Sequence, residues 1–527
     1  MLKHLTALAT VAVVGMLVLA SCGGSGSSGA DLIFNNASEP QSLDPALTSG
    51  VPEARLCYSL FEGLVVNDPQ TSKAVPGIAE SWKISDDKTT YTFKLRNAKF
   101  SDGKKITAQD FVDSWLRVLD PKTAAAYAYI IGDNVAGAAD YNAGKGPKEN
   151  VKIKAVDENT LEVTFVGPLP YALDMLTHNA YVVTPTHAIA KYGADWVKPA
   201  NFVGSGPFVL KEWKPQDKIV VAKNPKYWDA KNVKLKTLTY LAIEDANVAY
   251  DKFKAGEIDW LADDTVPTAK IDEIKLRPDY QATAGSSVYY YIFNTTKKPF
   301  TDARVRKAFS EAVDRNAIVN DVLKGGDIAS AGLVPAMAGF VTAKGNEFNV
   351  ENAKKLLAEA GYPNGKGFPK VTLIYNTNAR HKTIAEYIQQ AWKANLGINV
   401  QLQNLEWATF LDTRQKTHDF QIARAGWLAD YLDPGNYLDM FKTGSGNNDG
   451  FYSNPKYDEL LAKASTLAAG DERNKMLEQA EDILITQDQA VSPFFFYANK
   501  SLIDLNKWTG VYSNAMDIHP TKWIAKK

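Results

Sequence analysis

A strand, a helix and a second strand follow one another in residues 370–405, and this pattern limits the fold more than any other. KVTLIYN, HKTIAEYIQQAWKANLG and INVQLQNL have the residue patterns of a strand, a helix and a strand. Two successive strands that are joined through a helix run parallel, with a right-handed crossover. Because strands and helices alternate at several other places as well, the sequence predicts an α/β or mixed architecture.

Several of these other elements have clear signals. DLIFN predicts a strand, VPEARLCYSLFEGL a helix that begins near Pro52, and YTFKLR a strand with one buried face. In TAQDFVDSWLRVLD, Thr107 and Asp110 have the spacing of a capping box, which predicts a helix start. Residues 161–166 predict a further strand, and residues 201–229 predict two strands joined by a polar turn.

The N-terminus has the features of an export signal. One early lysine precedes an apolar run of 16 residues from Leu5 to Ala20, which is shorter than the roughly 20 residues that span a bilayer. Residues 1–21 are therefore predicted to be a signal peptide. LASC resembles a lipobox, which predicts a lipidated Cys22 followed by a Gly/Ser spacer in residues 22–30. Ordinary cleavage, with Cys22 incidental, stays open as an alternative.

The rest of the chain is nearly neutral. Cleavage before Cys22 leaves 506 residues, with 58 Lys and Arg against 60 Asp and Glu. There are no long basic runs, so the sequence predicts no nucleic-acid partner. The only remaining cysteine is Cys57 if Cys22 is lipidated, which excludes an internal disulfide. Cys57 is predicted to be a core residue on a helix.

No motif of enzyme chemistry stands out. The five histidines beyond His4 form no HExxH or similar pair, and the chain contains neither GxSxG nor GxxxxGK[ST]. We therefore predict no catalytic residue, no metal and no cofactor. An extracytoplasmic peptidase or amidase stays open as an alternative, because missing motifs do not exclude an enzyme.

The stretch RAGWLADY, residues 424–431, places two charges in a segment otherwise built for burial. Arg424 and Asp430 stand on either side of Trp427, with only Ala, Gly and Leu between them. Charged side chains are almost never fully buried without a partner, and an unpaired buried carboxylate costs several kcal/mol. Each charge therefore needs a partner inside the protein or on a ligand.

Aromatic residues make up 11% of the chain and cluster in two runs, YYYIF at 289–293 and FFFY at 494–497. Alternate residues of a strand face opposite ways. One set of these rings can therefore pack in the core while the other lines a cleft. The alternative is that both sets are core residues.

Several stretches in a fixed order resemble the solute-binding proteins of peptide-importing ABC transporters, specifically the oligopeptide-binding branch. They are PQSLDP, FEGL, GSGPFVLKEW, NPKYWD, FKAGEID, RVRKAFSEAVDR, LDTR and RAGWLADY. The resemblance implies a two-lobed periplasmic-binding-protein-like fold of type II, with an extra subdomain inserted in the first lobe. Lobe I would comprise residues 31–61, 179–286 and 493–527, the insertion residues 62–178, and lobe II residues 287–492.

The resemblance also implies a set of peptide-binding residues. Asp430 matches the aspartate that binds the α-ammonium group of the ligand. Arg424, Arg414 and His381 match positions that meet peptide carboxylates. For the arginines an internal salt bridge stays open, and for His381 a surface position. The remaining predicted contacts are Trp427 and Gly426, which would shape the wall by the first peptide side chain, together with Tyr290, Val51 and Asp263.

Two positions depart from the family pattern. Some relatives carry a disulfide at the positions of Ser287 and Leu428, and here both partners are absent. After GEID, Asp263 and Asp264 stand where some relatives have amides. Two acids at this place would favour peptides with basic side chains.

The function implied is that of an extracytoplasmic, membrane-anchored lipoprotein that captures extended oligopeptides. It would deliver them to the permease of an ABC importer, and it is expected to be a monomer. Rival interpretations are a receptor for one signalling peptide, an enzyme, or a surface chaperone or adhesin on the same scaffold.

Overall fold

The computed structural model describes residues 31–527, except for the side chain of Asp264. The predicted signal peptide (1–21), Cys22 and the spacer (22–30) lie outside the described residues. The strands of the described part are short, apart from two of 13 and 14 residues. They are β1 (Leu32–Asn35), β2 (Val65–Asn67), β3 (Ala74–Pro76), β4 (Ala79–Ile84), β5 (Thr90–Leu95), β6 (Ile153–Asp157), β7 (Thr160–Thr164), β8 (Phe208–Lys214), β9 (Lys218–Lys223), β10 (Thr237–Leu241), β11 (Trp260–Ala262), β12 (Tyr280–Phe293), β13 (Ile328–Ala329), β14 (Thr372–Asn376), β15 (Gln401–Leu405), β16 (Ile422–Leu428), β17 (Val491–Ile503), β18 (Trp508–Thr509) and β19 (Ala525–Lys526).

The α-helices lie between these strands. They are α1 (Val51–Leu60), α2 (Ala108–Leu119), α3 (Ala128–Gly132), α4 (Ala138–Asn142), α5 (Ala172–Met175), α6 (Thr186–Tyr192), α7 (Ala246–Lys254), α8 (Ile271–Ile274), α9 (Ala303–Glu311), α10 (Arg315–Ala317), α11 (Val350–Glu359), α12 (Ala379–Leu396), α13 (Trp407–Leu411), α14 (Gly435–Leu438), α15 (Pro455–Ala464) and α16 (Asp471–Asp482). Among residues 31–527, no helix combines the length and the apolar character needed to cross a membrane.

The strand–helix–strand unit predicted from residues 370–405 is present. β14 and β15 run parallel, with Leu373 opposite Leu402, and α12 connects them. Helix α12 begins at an Asn378 cap and ends at Gly397, whose φ of 72° is easily adopted only without a side chain. The α/β class and the two-lobed fold predicted from the sequence are confirmed.

One large sheet extends through both lobes. Its strand order is β15-β14-β16-β12-β17-β11-β1-β10-β9-β8, and β13 also pairs with β17. We call β11, β1, β10, β9 and β8 the first half of the sheet, and β15, β14 and β16 the second half. The long strands β12 and β17 lie between the halves and belong to both.

The antiparallel pairing of β12 with β17 is interrupted in the middle. Residues 280–284 pair with 498–502, and residues 288–292 pair with 491–496. Residues 285–287 form a bulge between these two stretches. The first stretch continues into β11, whereas the second continues into β16. The bulge therefore marks the change from one half of the sheet to the other.

A separate four-stranded antiparallel sheet, β4-β5-β7-β6, lies within residues 79–164. The alternation predicted for YTFKLR is present, with Tyr91, Phe93 and Leu95 buried. Helix α2 packs on this sheet and starts with the predicted capping box, in which Thr107 and Asp110 bond each other's backbone. The sequence boundaries of the lobes and of the insertion stay a prediction.

The run at 289–293 divides as proposed, whereas the run at 494–497 does not, because the chain neighbours Phe494 and Phe495 pack in the same core. Tyr289 and Tyr291 pack in one core with Phe494 and Phe495, and the ring planes of Tyr289 and Phe495 are 9° apart at 4.8 Å. Tyr290 points to the opposite face of the same strand. Nearby, Ser287 and Leu428 are directly paired between β12 and β16, in the place where some relatives carry a disulfide.

Replacing Thr107 with alanine tests the start of α2. The change removes one half of the capping box, so we expect the free energy of unfolding to fall by about 1 kcal/mol. Urea unfolding followed by circular dichroism measures it. The control is Gln109→Ala, an exposed position in the same helical turn, for which we expect less than about 0.5 kcal/mol. Equal effects of the two substitutions would contradict the capping role.

Candidate functional site

A cavity lies between the two halves of the large sheet. Its wall combines the start of α1, the bulge region of β12, the start of α12, the end of β16 and the loop after β18. All nine residues that the sequence predicted as ligand contacts line it, although they come from distant parts of the chain: Val51, Asp263, Tyr290, His381, Arg414, Arg424, Gly426, Trp427 and Asp430.

Asp430, just beyond the end of β16, is a buried carboxylate. Its side chain is 9% exposed and accepts a hydrogen bond from Asn436 Nδ2 at 3.2 Å. Tyr127 donates a long hydrogen bond, at 3.5 Å, to the other oxygen. In the part of the chain that the structure describes, no lysine or arginine forms an ion pair with Asp430. Burial raises the pKa of Asp430 to about 7, although the two hydrogen bonds act to lower it.

The residue that comes nearest to a cationic partner for Asp430 is His178, and it is neutral. His178 Nε2 lies 3.4 Å from the Asp430 carboxylate, but burial lowers the pKa of this imidazole to about 3. Its Nδ1 accepts a hydrogen bond from the backbone N–H of Ala180, which assigns the proton to Nε2. His178 therefore does not neutralise the charge of Asp430.

Arg424 carries the opposite charge in the same cavity. Its guanidinium donates to Tyr497 Oη at 3.0 Å and to Asn376 Oδ1 at 3.3 Å, and it lies over the ring of Tyr289. Its Nε–H is buried without an acceptor. Among the described residues, no carboxylate lies within ion-pair distance of Arg424, so the internal salt bridge that the sequence left open is not formed.

Two other predicted contacts are already paired. Arg414 Nε lies 2.8 Å from the buried carboxylate of Asp449. This is the internal salt bridge that the sequence analysis gave as the alternative for Arg414. Asp263 meets Arg380 at 2.7 Å and Lys500 at 3.2 Å. Burial alone would raise the pKa of Asp263, yet these two cations hold it below its ordinary value. The charge of Asp263 is thus offset within the protein, which argues against the basic-side-chain preference.

His381 is buried, so the surface position considered from the sequence is wrong. It lies at the start of α12, and its Nδ1 has no hydrogen-bond partner. Burial, together with the positive charges of Arg424 and Arg380, places the pKa of His381 well below its ordinary value. A neutral imidazole can still donate or accept one hydrogen bond towards a ligand.

The remaining contacts form the wall. Trp427 lies nearly parallel to Tyr127, and its indole N–H bonds Asn436 at 2.9 Å. At Gly426 a Cβ would stand 3.0 Å from Tyr497 Oη and 3.1 Å from Arg424 Nη2, so a side chain there would displace these two polar groups. Tyr290 projects to the cavity face of β12, and Val51 is the first residue of α1.

Some residues of the site were missed by sequence reasoning. Asn436, six positions after Asp430, bonds both the carboxylate and the backbone N–H of Asp430 and could have been found by its proximity in sequence. Tyr127 and His178 lie about 300 and 250 positions away, and nothing in their local sequence marks them. Across residues 31–527, no group of three or more His, Cys, Asp or Glu could hold a metal ion.

A two-lobed α/β fold with a buried, charge-lined cavity between its halves defines a ligand-binding protein of the periplasmic-binding-protein class. The model of the bacterial extracellular solute-binding proteins, family 5 Middle, matches residues 73–449. The chain therefore belongs to the bacterial extracellular solute-binding proteins, family 5. It is 39% identical over 493 residues to the periplasmic oligopeptide-binding protein OppA of Salmonella typhimurium, covering 92% of this chain and 89% of that protein.

Solved structures are similar over nearly the whole chain. The crystal structure of Haemophilus influenzae OppA in complex with the peptide RPPGFSPFR has a TM-score of 0.89 at 34% identity, covering 94% of this chain and 98% of that one. The murein tripeptide binding protein MppA of Escherichia coli also scores 0.89 at 34% identity, covering 95% and 99%. The unliganded open form of MppA scores only 0.62, covering 94% and 97%. In the arrangement of its lobes, the present structure therefore resembles the peptide complex of OppA and not the open form of MppA.

Substituting Asp430 with asparagine tests the electrostatics of the site without any ligand. Asp430 has a higher pKa in the folded protein than in the unfolded chain, so its ionisation destabilises the fold as pH rises from about 4 through 7. We expect Asp430→Asn to raise the free energy of unfolding by roughly 2–4 kcal/mol at pH 8 and by little at pH 4. Urea unfolding at both pH values measures this difference.

The matched control is Asp433→Asn, three residues further on. Asp433 is also buried, but Arg473 donates two hydrogen bonds to it at 2.7 and 2.8 Å. Removing its charge leaves a buried guanidinium unpaired, so we expect a loss of roughly 3–5 kcal/mol at pH 8. Destabilisation by both substitutions at pH 8 would contradict the view that Asp430 lacks a cationic partner.

Proposed function

We propose that this protein is the substrate-binding component of a peptide ABC importer, and that it captures oligopeptides between its lobes. The observation that carries the proposal is a pair of opposite charges in one cavity, Asp430 and Arg424, neither of which has an ionic partner among the described residues. A free peptide is a zwitterion, with an ammonium group at one end and a carboxylate at the other. The cavity is therefore complementary to such a ligand.

Asp430 receives the ammonium end of the peptide. An α-amino group has a pKa of about 8 and is mostly cationic at neutral pH. In the cavity it supplies the cation that Asp430 lacks, and the two charges neutralise each other in a site with little water. The peptide ammonium also has three N–H donors, and Asn179 Oδ1 is a buried, unbonded acceptor in the same cavity.

Arg424 receives a carboxylate of the peptide. A guanidinium offers a fork of donors that fits the two oxygens of a carboxylate. Arg414 is a weaker candidate for the same role, because a ligand there competes with Asp449. His381 contributes a neutral hydrogen bond. Trp427, Gly426, Tyr290 and Val51 form the wall that meets the peptide side chains and backbone.

Closure of the lobes traps the ligand. We assign residues 31–61, 179–286 and 493–527 to lobe I, 62–178 to its insertion and 287–492 to lobe II. The bulge in β12 at residues 285–287 supports a hinge there, because it falls between the stretches of β12 that pair with each half. The open form of MppA supports such a motion in this family. Closure requires that the peptide bind the closed state more tightly than the open one.

We place the protein at the extracytoplasmic face of the cell membrane. Residues 1–21 direct export, lipidated Cys22 anchors the chain, and residues 22–30 form a flexible spacer. The relative named above is periplasmic, which supports export. We further propose that the protein acts as a monomer, performs no chemistry on the peptide and delivers it intact to the permease.

Acetylation of the peptide N-terminus tests the ligand assignment. Acetylated tri-alanine has no ammonium group to offer, so Asp430 stays without a counter-charge. We expect the dissociation constant, measured by isothermal titration calorimetry at pH 7.5, to rise some hundred- to thousand-fold relative to free tri-alanine. In Asp430→Asn the two peptides should differ by less than about tenfold.

Equal binding of both peptides to the unsubstituted protein would refute this assignment. Mass spectrometry of the mixtures provides a separate check on function. Intact peptides support a binding protein, whereas shortened peptides would support the peptidase alternative.

The affinity for free tri-alanine should fall in acid. Below pH 7 Asp430 is protonated, so binding an ammonium group must release a proton. We expect the affinity to fall by up to about tenfold per pH unit between pH 7 and 5. Asp449, whose pKa burial raises to about 6, also titrates in this range. The difference in pH dependence between the unsubstituted protein and Asp430→Asn isolates the contribution of Asp430. If the affinities of both proteins changed with pH in the same way, Asp430 would not be the group that titrates.

A further inference from the structure

Four buried charged residues form a cluster beside the cavity. Arg380 donates to Asp263 at 2.7 Å and to Asp327 at 3.0 Å, and Lys500 donates to the same two carboxylates at 3.2 and 3.0 Å. Each of the four side chains is 13% exposed or less. The cluster contains two positive and two negative charges and is therefore balanced.

The four residues come from both halves of the large sheet. Asp263 directly follows β11, and Lys500 lies in the part of β17 that pairs with β11 and with residues 280–284. Arg380 is the second residue of α12, immediately after β14. Asp327 precedes β13, which pairs with Phe495 and Phe496 beyond the bulge. Asp263 and Lys500 thus belong to the first half, and Arg380 and Asp327 to the second.

Each half thus contributes one positive and one negative charge to the cluster. The contacts Asp263–Lys500 and Arg380–Asp327 lie within one half each, whereas Asp263–Arg380 and Lys500–Asp327 cross between the halves. When the halves separate, both internal pairs persist and no charge is left alone. When they close, two further ion pairs form in a place that excludes water, where electrostatic attraction is less screened.

The backbone at the crossing is shaped for this contact. A Cβ on Gly325 would overlap Lys500 Cε, so a larger residue there would push the lysine side chain out of its present position beside Asp327. Asp327 also accepts a hydrogen bond from the backbone N–H of Ala498, next to the bulge. Ala498 lies in the stretch of β17 that pairs with residues 280–284, so the backbone of the first half also meets Asp327, two residues from Lys500.

We propose that the Asp263–Arg380 and Lys500–Asp327 pairs form a latch that stabilises the closed cleft independently of the ligand. The latch rests on the proposed function in that the halves must separate to admit a peptide. A protein whose binding-competent state is only partly populated binds with an affinity reduced by that fraction. The latch sets this fraction. It therefore changes the affinity for all peptides by the same factor, whatever their sequence.

Asp263→Asn tests the latch. The substitution leaves the closed cluster with one uncompensated positive charge, whereas in the open form Lys500 can be hydrated. We expect the ligand-free variant to have a larger radius of gyration than the unsubstituted protein by small-angle X-ray scattering. We also expect its affinity to fall at least tenfold, and equally, for tri-alanine, Ala-Lys-Ala and Ala-Glu-Ala. The ratio between free and N-acetylated tri-alanine should not change.

The control is the double variant Asp263→Asn/Lys500→Met, which removes the whole pair of the first half and restores neutrality. It also removes both ion pairs that cross between the halves. We therefore expect it to stay more open and to bind less tightly than the unsubstituted protein, but without the further loss that an uncompensated charge causes in Asp263→Asn. Circular dichroism checks that both variants are folded.

Equal radii of gyration for Asp263→Asn and the unsubstituted protein would overturn the latch, whatever the affinities. A loss confined to Ala-Lys-Ala would overturn it too, because it would make Asp263 a direct contact for basic side chains. A double variant as compact as the unsubstituted protein is a third contrary result, because it lacks both crossing pairs. If no peptide binds, the proposed function fails, and the scattering comparison still decides on the latch.

Discussion

The antiparallel pairing of β12 with β17 is the interaction on which the rest of the structure depends. These two strands are the only members of the described sheet that take part in both halves. On one side of the bulge at residues 285–287 the pair continues into β11, and on the other side it continues into β16. On one face of β12, Tyr289 and Tyr291 anchor the core of the second half. On the other face, Tyr290 reaches the cavity. The same backbone hydrogen bonds thus join the halves, bury a core and position a binding wall.

The charges around the cavity fall into two groups with different consequences. In the first group every charge has an ionic partner inside the protein, as in Arg414–Asp449 and the four-residue cluster around Arg380. Such groups shape the site or hold it closed, but they offer little net charge to a ligand. Asp430 and Arg424 form the second group. Burying these two charges without ionic partners destabilises the free protein. A ligand that supplies the missing charges removes this cost, so the complex is more stable than the free protein.

The fold class and many elements could be predicted because their signals are local. The capping box at Thr107, the alternation in YTFKLR and the strand–helix–strand pattern of residues 370–405 each depend on neighbours within a few positions. The order of strands in the large sheet could not be predicted in this way. β17 comes from the end of the chain and inserts between β12 and β11, and no local pattern records that choice. Only the resemblance to a known family suggested an interleaved chain.

The candidate site divides in the same manner. The sequence by itself determined that Asp430 and Arg424 lie in a segment built for burial and that each needs a partner, because hydrophobic neighbours and charge cost are readable along the chain. Only the tertiary structure decided which charges are already paired. Asp263 looks like a free acid in WLADDT but is held by Arg380, more than a hundred positions away, and by Lys500, still further along the chain. Electrostatic pairing depends on distance in space, and distance in space is set by the packing of the whole chain.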